Sequence, residues 1–251
     1  MIVKNQYGEI DFGEHLSQQR VIDENVSKVA VTLSGGVDSS LVMYLLCEYI
    51  MKNNIDYQIL PFTGVDKLRP TNEWYAREIA LYFKEKYPNI KFLDHYTFKY
   101  DHEPGNTHHK RKNHIVHERR LYTEEDIKIF FCGKSANPPK DEAIKHGLWS
   151  KREEERDTDD GDWQSKVFFR AYTGPNNDIN NRFIYRPLAF QHKKFIAQCY
   201  EDFGLMEELF PMTASCIAYE ENSNYFSEPC KKCWWCKEKH WAFGMYDGGI
   251  E

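Results

Sequence analysis

The sequence predicts an α/β protein built on a doubly wound, mostly parallel sheet, and three observations carry that expectation. Strand-like and helix-like segments alternate along the chain. The first such pairing runs strand, glycine turn, helix over residues 29–46. Clusters of small and polar residues follow the strand-like segments at 34–40, 63–66 and 133–137, where open parallel sheets bind ligands. No fixed-period repeat is present, which excludes a solenoid.

Taken in order, the spacing predicts strands over 28–33, 58–63, 90–98 and 127–132. Val29, Val31 and Leu33 give the first its strand-forming residues, and it ends at Ser34, Gly35 and Gly36. Helices are expected over 39–51, 71–87 and 195–203. In the first, Leu41, Val42, Leu45, Leu46 and Tyr49 recur at the spacing of one helical face. Two stretches break the pattern. Residues 102–120 hold five histidines among Lys110, Arg111, Lys112, Arg119 and Arg120. They read as a solvated loop or, from His108 to Arg120, as a basic strip for nucleic acid, with histidine spacings that match no usual metal site. Residues 151–162 are mostly charged and read as a solvated loop.

A chain of 251 residues with 41% hydrophobic residues can bury a sizeable core. Charged residues make up 29%, and the apolar run over 41–51 is too short for a bilayer and contains Glu48, so no membrane association is expected. The first twenty residues are polar and lack the apolar stretch of a secretory signal, which points to a cytoplasmic, reducing location. A net charge of −6 does not advertise non-specific nucleic-acid binding. In that compartment seven cysteines are thiols or metal ligands rather than disulfides.

Residues 34–40 carry the clearest chemistry. Glycines allow close backbone approach, and the helix behind them aims free N–H groups and its positive end at the loop. That is an anion cradle. No lysine follows the glycines, so the loop is not the one that serves transfer of the terminal phosphate. Ser34, Gly35, Gly36, Val37, Asp38, Ser39 and Ser40 resemble the S-G-G-x-D-S-[ST] motif of the PP-loop ATP pyrophosphatases, whose fold is that of the adenine nucleotide alpha hydrolases. The resemblance implies that an acceptor oxygen attacks the α-phosphorus of ATP, an adenylate forms and pyrophosphate leaves. It implies that the loop N–H groups with Ser34, Ser39 and Ser40 hold the pyrophosphate and that Asp38 binds Mg²⁺. Arg186, Pro187 and Leu188 followed by Lys193 resemble the same enzymes' Pro-Leu pair and helix-opening lysine, which implies a phosphate contact for Lys193, with Lys194 as its substitute. Phe62 and Gly133, at the ends of the second and fourth expected strands, complete the expected nucleotide pocket.

Cys216, Cys230, Cys233 and Cys236 stand as C-x13-C-x2-C-x2-C. Four thiolates at such spacing can close a tetrahedron around Zn²⁺ or hold an iron–sulfur cluster. With the loop, they resemble 7-cyano-7-deazaguanine synthases, with Thr213, Ser215, Lys239, Ala242 and Phe243 in approximate agreement around the cysteines. The resemblance implies ATP, Mg²⁺ and Zn²⁺, with ammonia and 7-carboxy-7-deazaguanine as substrates and a nitrile as product. It also implies two parts, an ATP-binding domain over 1–207 and a zinc module over 208–251. A homodimer is compatible with it. The chain departs from that family at Phe62, Thr63 and Gly64, at residues 133–139, and over 149–181. Two other classes therefore stand beside it: an RNA-modifying enzyme of the tRNA thiolase kind using an iron–sulfur cluster or sulfur relay, and a nucleotide-binding module without turnover. Trp234 and Trp235, between zinc ligands, are expected to pack the module onto the main domain.

Overall fold

The computed structural model describes residues 1–13, 26–101, 107–149, 167–173, 179–218 and 223–250, with side chains left out for 107–112 and 167–182. The charged stretch 151–162 and most of 149–181 lie outside the described residues. Among the described residues no helix is long and apolar enough to cross a membrane.

Two short strands, β1 (Ile2–Asn5) and β2 (Gly8–Asp11), form an antiparallel hairpin. Among the described residues the main sheet has seven strands. β3 (Lys28–Thr32) lies between β4 (Gln58–Asp66) and β7 (Ile129–Cys132), parallel to both. β7 pairs in parallel with β9 (Ile179–Tyr185), and β8 (Val167–Thr173) closes that edge antiparallel to β9. On the other side β5 (Lys91–Phe92) and β6 (Tyr96–Tyr100) both run parallel to β4. The expected mostly parallel α/β sheet is therefore the observed one.

The strands alternate in where their side chains go, as a pleat requires. Val29, Val31, Leu33, Ile59, Ile129, Phe131 and Tyr185 face one core, shared with α1 (Val37–Asn53), α2 (Thr71–Lys86) and α5 (Lys193–Asp202). Ala30, Leu60, Phe62, Phe130 and Ile184 face a second core, which Leu121 of α3 (Thr107–Glu124) helps to close. Burial on both faces is what the continuous apolar runs of a parallel sheet provide for. A single turn, α4 (Lys140–Lys145), follows β7, and α6 (Trp234–Phe243) belongs to the cysteine-bearing end of the chain.

Three expectations need correction. The strand expected over 90–98 is two strands, β5 against the first half of β4 and β6 against its second half. The interruption lets His95 reach across to Thr63, whose hydroxyl stands 2.8 Å from the His95 Nε2. β4 itself continues to Asp66, so residues 64–66, expected beyond the strand's end, lie within it, and Thr63 donates to the Leu33 carbonyl. The histidine-rich stretch is not a solvated loop where it is described. It forms α3, where His114 and His117 pack their rings on Phe98 at 5.0 and 4.1 Å between centroids and Glu118 is buried. The mixture of charge and aromatic nitrogen hid a helical face that the sheet's aromatic residues cover.

Candidate functional site

The loop at 34–40 follows β3, whose neighbours are the next strand in sequence, β4, on one side and β7 on the other, so it sits where the strand order reverses. Gly35 takes a left-handed φ of +83°, and a Cβ there would stand 2.8 Å from the Tyr75 Cβ. Glycine meets both demands at once. The chain then enters α1 at Gly36 with no side-chain cap, so the first-turn N–H groups point into the loop. Ser39 organises the turn. Its hydroxyl accepts from the Ser34 N–H at 3.2 Å, donates to the Gly36 carbonyl at 3.1 Å and stands 3.1 Å from the Ser34 hydroxyl. Ser40 donates to the same Gly36 carbonyl at 2.9 Å and is fully buried, so it braces the loop from behind. The buried Tyr200 hydroxyl donates to the Val37 carbonyl at 3.0 Å.

Asp38 and Lys193, separated by 155 residues, meet at this turn. The Lys193 ammonium donates to Asp38 Oδ1 at 2.6 Å and Oδ2 at 2.5 Å, and the Ser135 hydroxyl donates to Oδ2 at 3.1 Å. Lys193 is buried in the first turn of α5, with Glu238 of α6 at 3.4 Å on its other side. Burial alone would lower the Lys193 pKa, but the Asp38 and Glu238 carboxylates together hold it above the usual lysine value. The ammonium is therefore charged. Lys194, the alternative lysine, instead contacts Glu142 at 3.3 Å and lies over the Trp241 ring at 4.7 Å.

Of the two residues expected to complete the pocket, Gly133 lies against the loop and the Phe62 side chain does not. A Cβ on Gly133 would lie 2.4 Å from the Ser39 nitrogen, so this glycine lets the segment after β7 lie against the start of α1. Phe62 is fully buried, and its ring packs with Tyr96, Phe98, His114 and Phe130 in the second core. Its side chain is therefore away from the loop, and only its carbonyl, which accepts from the Leu33 N–H at 2.8 Å, adjoins the strand that leads there.

The four cysteines come together. Their sulfurs all lie within 4.8 Å of one another, with Cys230 Sγ and Cys236 Sγ 4.0 Å apart, and the set could hold a metal ion. Backbone N–H groups point at the sulfurs: Ala218 and Cys230 donate to Cys216 Sγ, Cys233 to Cys230 Sγ and Cys236 to Cys233 Sγ. Such donors favour thiolate. Hydrogen bonds from the Cys216 and Cys236 thiols hold Cys233 far below the ordinary thiol range. The other three cysteines lie elsewhere, with Cys47 and Cys199 buried among apolar side chains and burial raising the pKa of each.

The cysteine end is bound to the loop by interactions that the spacing of motifs did not reveal. The Ala214 N–H donates to the Gly35 carbonyl at 2.8 Å, two residues before Cys216. Asp247 accepts the N–H groups of Ser215 and Cys216, each at 2.8 Å, and the buried Lys239 ammonium at 2.7 Å. Lys239 also donates to the Thr213 carbonyl and hydroxyl. Burial lowers its pKa, and Asp247 opposes that. Trp234 donates its indole N–H to the Leu148 carbonyl at 2.8 Å and packs near Trp149, as expected of a docking residue, whereas Trp235 is exposed. Ser135 lies in the 133–137 segment expected at the pocket, but Glu238 and Asp247 were not singled out from the sequence. A lone acidic residue near a motif has no periodic or spacing signal.

No protein-family model matches this chain, and no curated protein sequence matches it. Among solved structures it is similar to the U34-tRNA thiolase NcsA from Methanococcus maripaludis with its 4Fe–4S cluster, at 16% identity and a TM-score of 0.44. The likeness covers 72% of this chain and 57% of the thiolase, so the chain spans under two thirds of that protein's length.

Proposed function

We propose that this protein is an ATP-dependent, adenylate-forming enzyme that cleaves ATP between its α- and β-phosphates. The observation that carries the reading is the convergence of Asp38 and Lys193 on an uncapped helix start that follows a glycine turn. Free N–H groups of the first turn, with the Ser34 and Ser39 hydroxyls, would hold the β- and γ-phosphates. Asp38 would hold Mg²⁺, which supplies charge neutralisation on the phosphates. The Lys193 ammonium would contact the phosphate oxygens once Asp38 turns to the cation. An acceptor oxygen attacks the α-phosphorus, the bond to the bridging oxygen breaks, and pyrophosphate leaves with that electron pair. Positioning and electrostatics carry the rate, and an acceptor that is already a carboxylate needs no general base.

The cysteine set fits a single tetrahedral ion, for which we propose Zn²⁺. Four sulfurs about 2.3 Å from one ion lie about 3.8 Å apart, close to the spread seen here, whereas a 4Fe–4S cluster places each thiolate on its own iron and spreads them further. That favours a structural ion beside the nucleotide and a carboxylate acceptor, with amidation by ammonia and dehydration to a nitrile as in the deazaguanine synthases. The second reading is tRNA thiolation. Its support is the run of Lys, Arg and His residues along α3. Two assays separate them: pyrophosphate release with 7-carboxy-7-deazaguanine and ammonia supports the first, and release with unmodified tRNA, together with iron rather than zinc in the purified protein, supports the second.

A further inference from the structure

Lys193 is buried between two carboxylates on separate elements, and they hold it unequally. Both Asp38 oxygens are within 2.6 Å of the ammonium, while Glu238 Oε2 is at 3.4 Å. Asp38 also has the more exposed side chain, 20% against 4% for Glu238, so it is the partner that can turn toward a ligand. A buried ammonium left without a counter-charge is strongly disfavoured. Until phosphate oxygens reach the ammonium, Asp38 can release Lys193 and take a cation only if a second carboxylate is already in reach. We propose that Glu238 is a positioning residue for the nucleotide site, the counter-charge that keeps Lys193 in place when Asp38 turns to Mg²⁺.

This rests on the reading of residues 34–40 as the Mg²⁺-ATP site. Glu238 lies one helical turn into α6, two residues after Cys236, so the residue that completes the phosphate site belongs to the cysteine-bearing end of the chain. Its role is to make the exchange of partners at Lys193 inexpensive. Without it, Mg²⁺ must compete with the whole of the ammonium's hold on Asp38.

The test is calorimetric titration of ATP into the full-length, metal-loaded protein across a range of Mg²⁺ concentrations. Glu238→Gln and Glu238→Met both remove the charge, so whichever folds with normal metal content is decisive. The expected result is a rise of roughly tenfold in the Mg²⁺ concentration that half-saturates ATP binding, with ATP binding in the absence of added Mg²⁺ changed by less than about twofold. Glu238→Asp, which keeps the charge, is expected to stay within about threefold of the unsubstituted protein. An unchanged Mg²⁺ requirement in a charge-free variant overturns the proposal, as does Glu238→Asp behaving like Glu238→Gln, since packing would then be what matters. If the unsubstituted protein itself fails to bind Mg²⁺-ATP, the ATP-site reading falls, and this inference with it.

Discussion

Lys193 closes both of its shortest contacts on Asp38, one residue from each of two helices that the chain brings together across 155 positions. One is the acidic residue of the loop's first turn, and the other opens the helix after the Arg186, Pro187 and Leu188 segment. The pair ties α1 to α5, which cover the same face of the sheet.

Replacing Lys193 with Met removes a cation that two carboxylates share. Turnover of ATP should fall by about 10²–10³-fold, the usual cost of losing one preorganised charged donor. Stability should fall by on the order of 3 kcal/mol, because two carboxylates are left facing each other. Denaturant unfolding and initial-rate measurements read the two effects separately, and Lys194→Met should leave turnover within about threefold.

Gly133→Ala should damage the site without touching a ligand group. The new methyl would sit 2.4 Å from the Ser39 nitrogen and 2.5 Å from its Cα, and helix backbone cannot yield as a side-chain tip can. A loss of about 1–3 kcal/mol is expected, read as a lower melting temperature, together with weaker ATP binding because the start of α1 must shift.

Metal removal should weaken nucleotide binding as well as the cysteine end. Ala214 and Glu238 join residues near the cysteines to Gly35 and Lys193, so loss of order around Cys216 and Cys236 reaches the loop. Stripping the metal with a chelator, or Cys236→Ser, should raise the dissociation constant for ATP about tenfold or more, and readdition of the ion should restore the stripped protein. Metal analysis and calorimetry on one sample check both halves.

Stability should depend on acid pH through His95. Burial is the main cause that lowers its pKa to about 4 from 6.5, and the charge of Arg77 adds to it. Between those values the unfolded chain binds the extra proton and the folded chain does not. Stability from this group is complete above pH 6.5 and is lost as pH falls toward 4. Burial lowers the pKa of His117 and His192 too, so the slope has the same sign from all three. Melting temperatures from pH 7 to pH 4 should fall, and His95→Gln should flatten the curve.

The parts of the protein that the sequence disclosed are those written in local patterns. β3, α1 and α2 follow from periodicity, and the loop and the four cysteines follow from spacing, because each is a short-range requirement of backbone or ligand geometry. The hairpin β1–β2 was not foreseen, since four-residue strands carry too little alternation to register. α3 was obscured for the opposite reason: its buried face includes His114, His117 and Glu118, which pattern reading assigns to solvent. Glu238 and Asp247 were invisible because their roles exist only once α6 and the final turn lie against the loop.

The central claim is the bond that breaks in ATP. ATP labelled at the α-phosphate, incubated with Mg²⁺, the metal-loaded protein, ammonia and 7-carboxy-7-deazaguanine, or with unmodified tRNA, should yield the label in an acceptor adenylate or AMP, with one pyrophosphate for each. Label recovered in ADP with release of inorganic phosphate would contradict the account, because residues 34–40 would then serve transfer of the terminal phosphate.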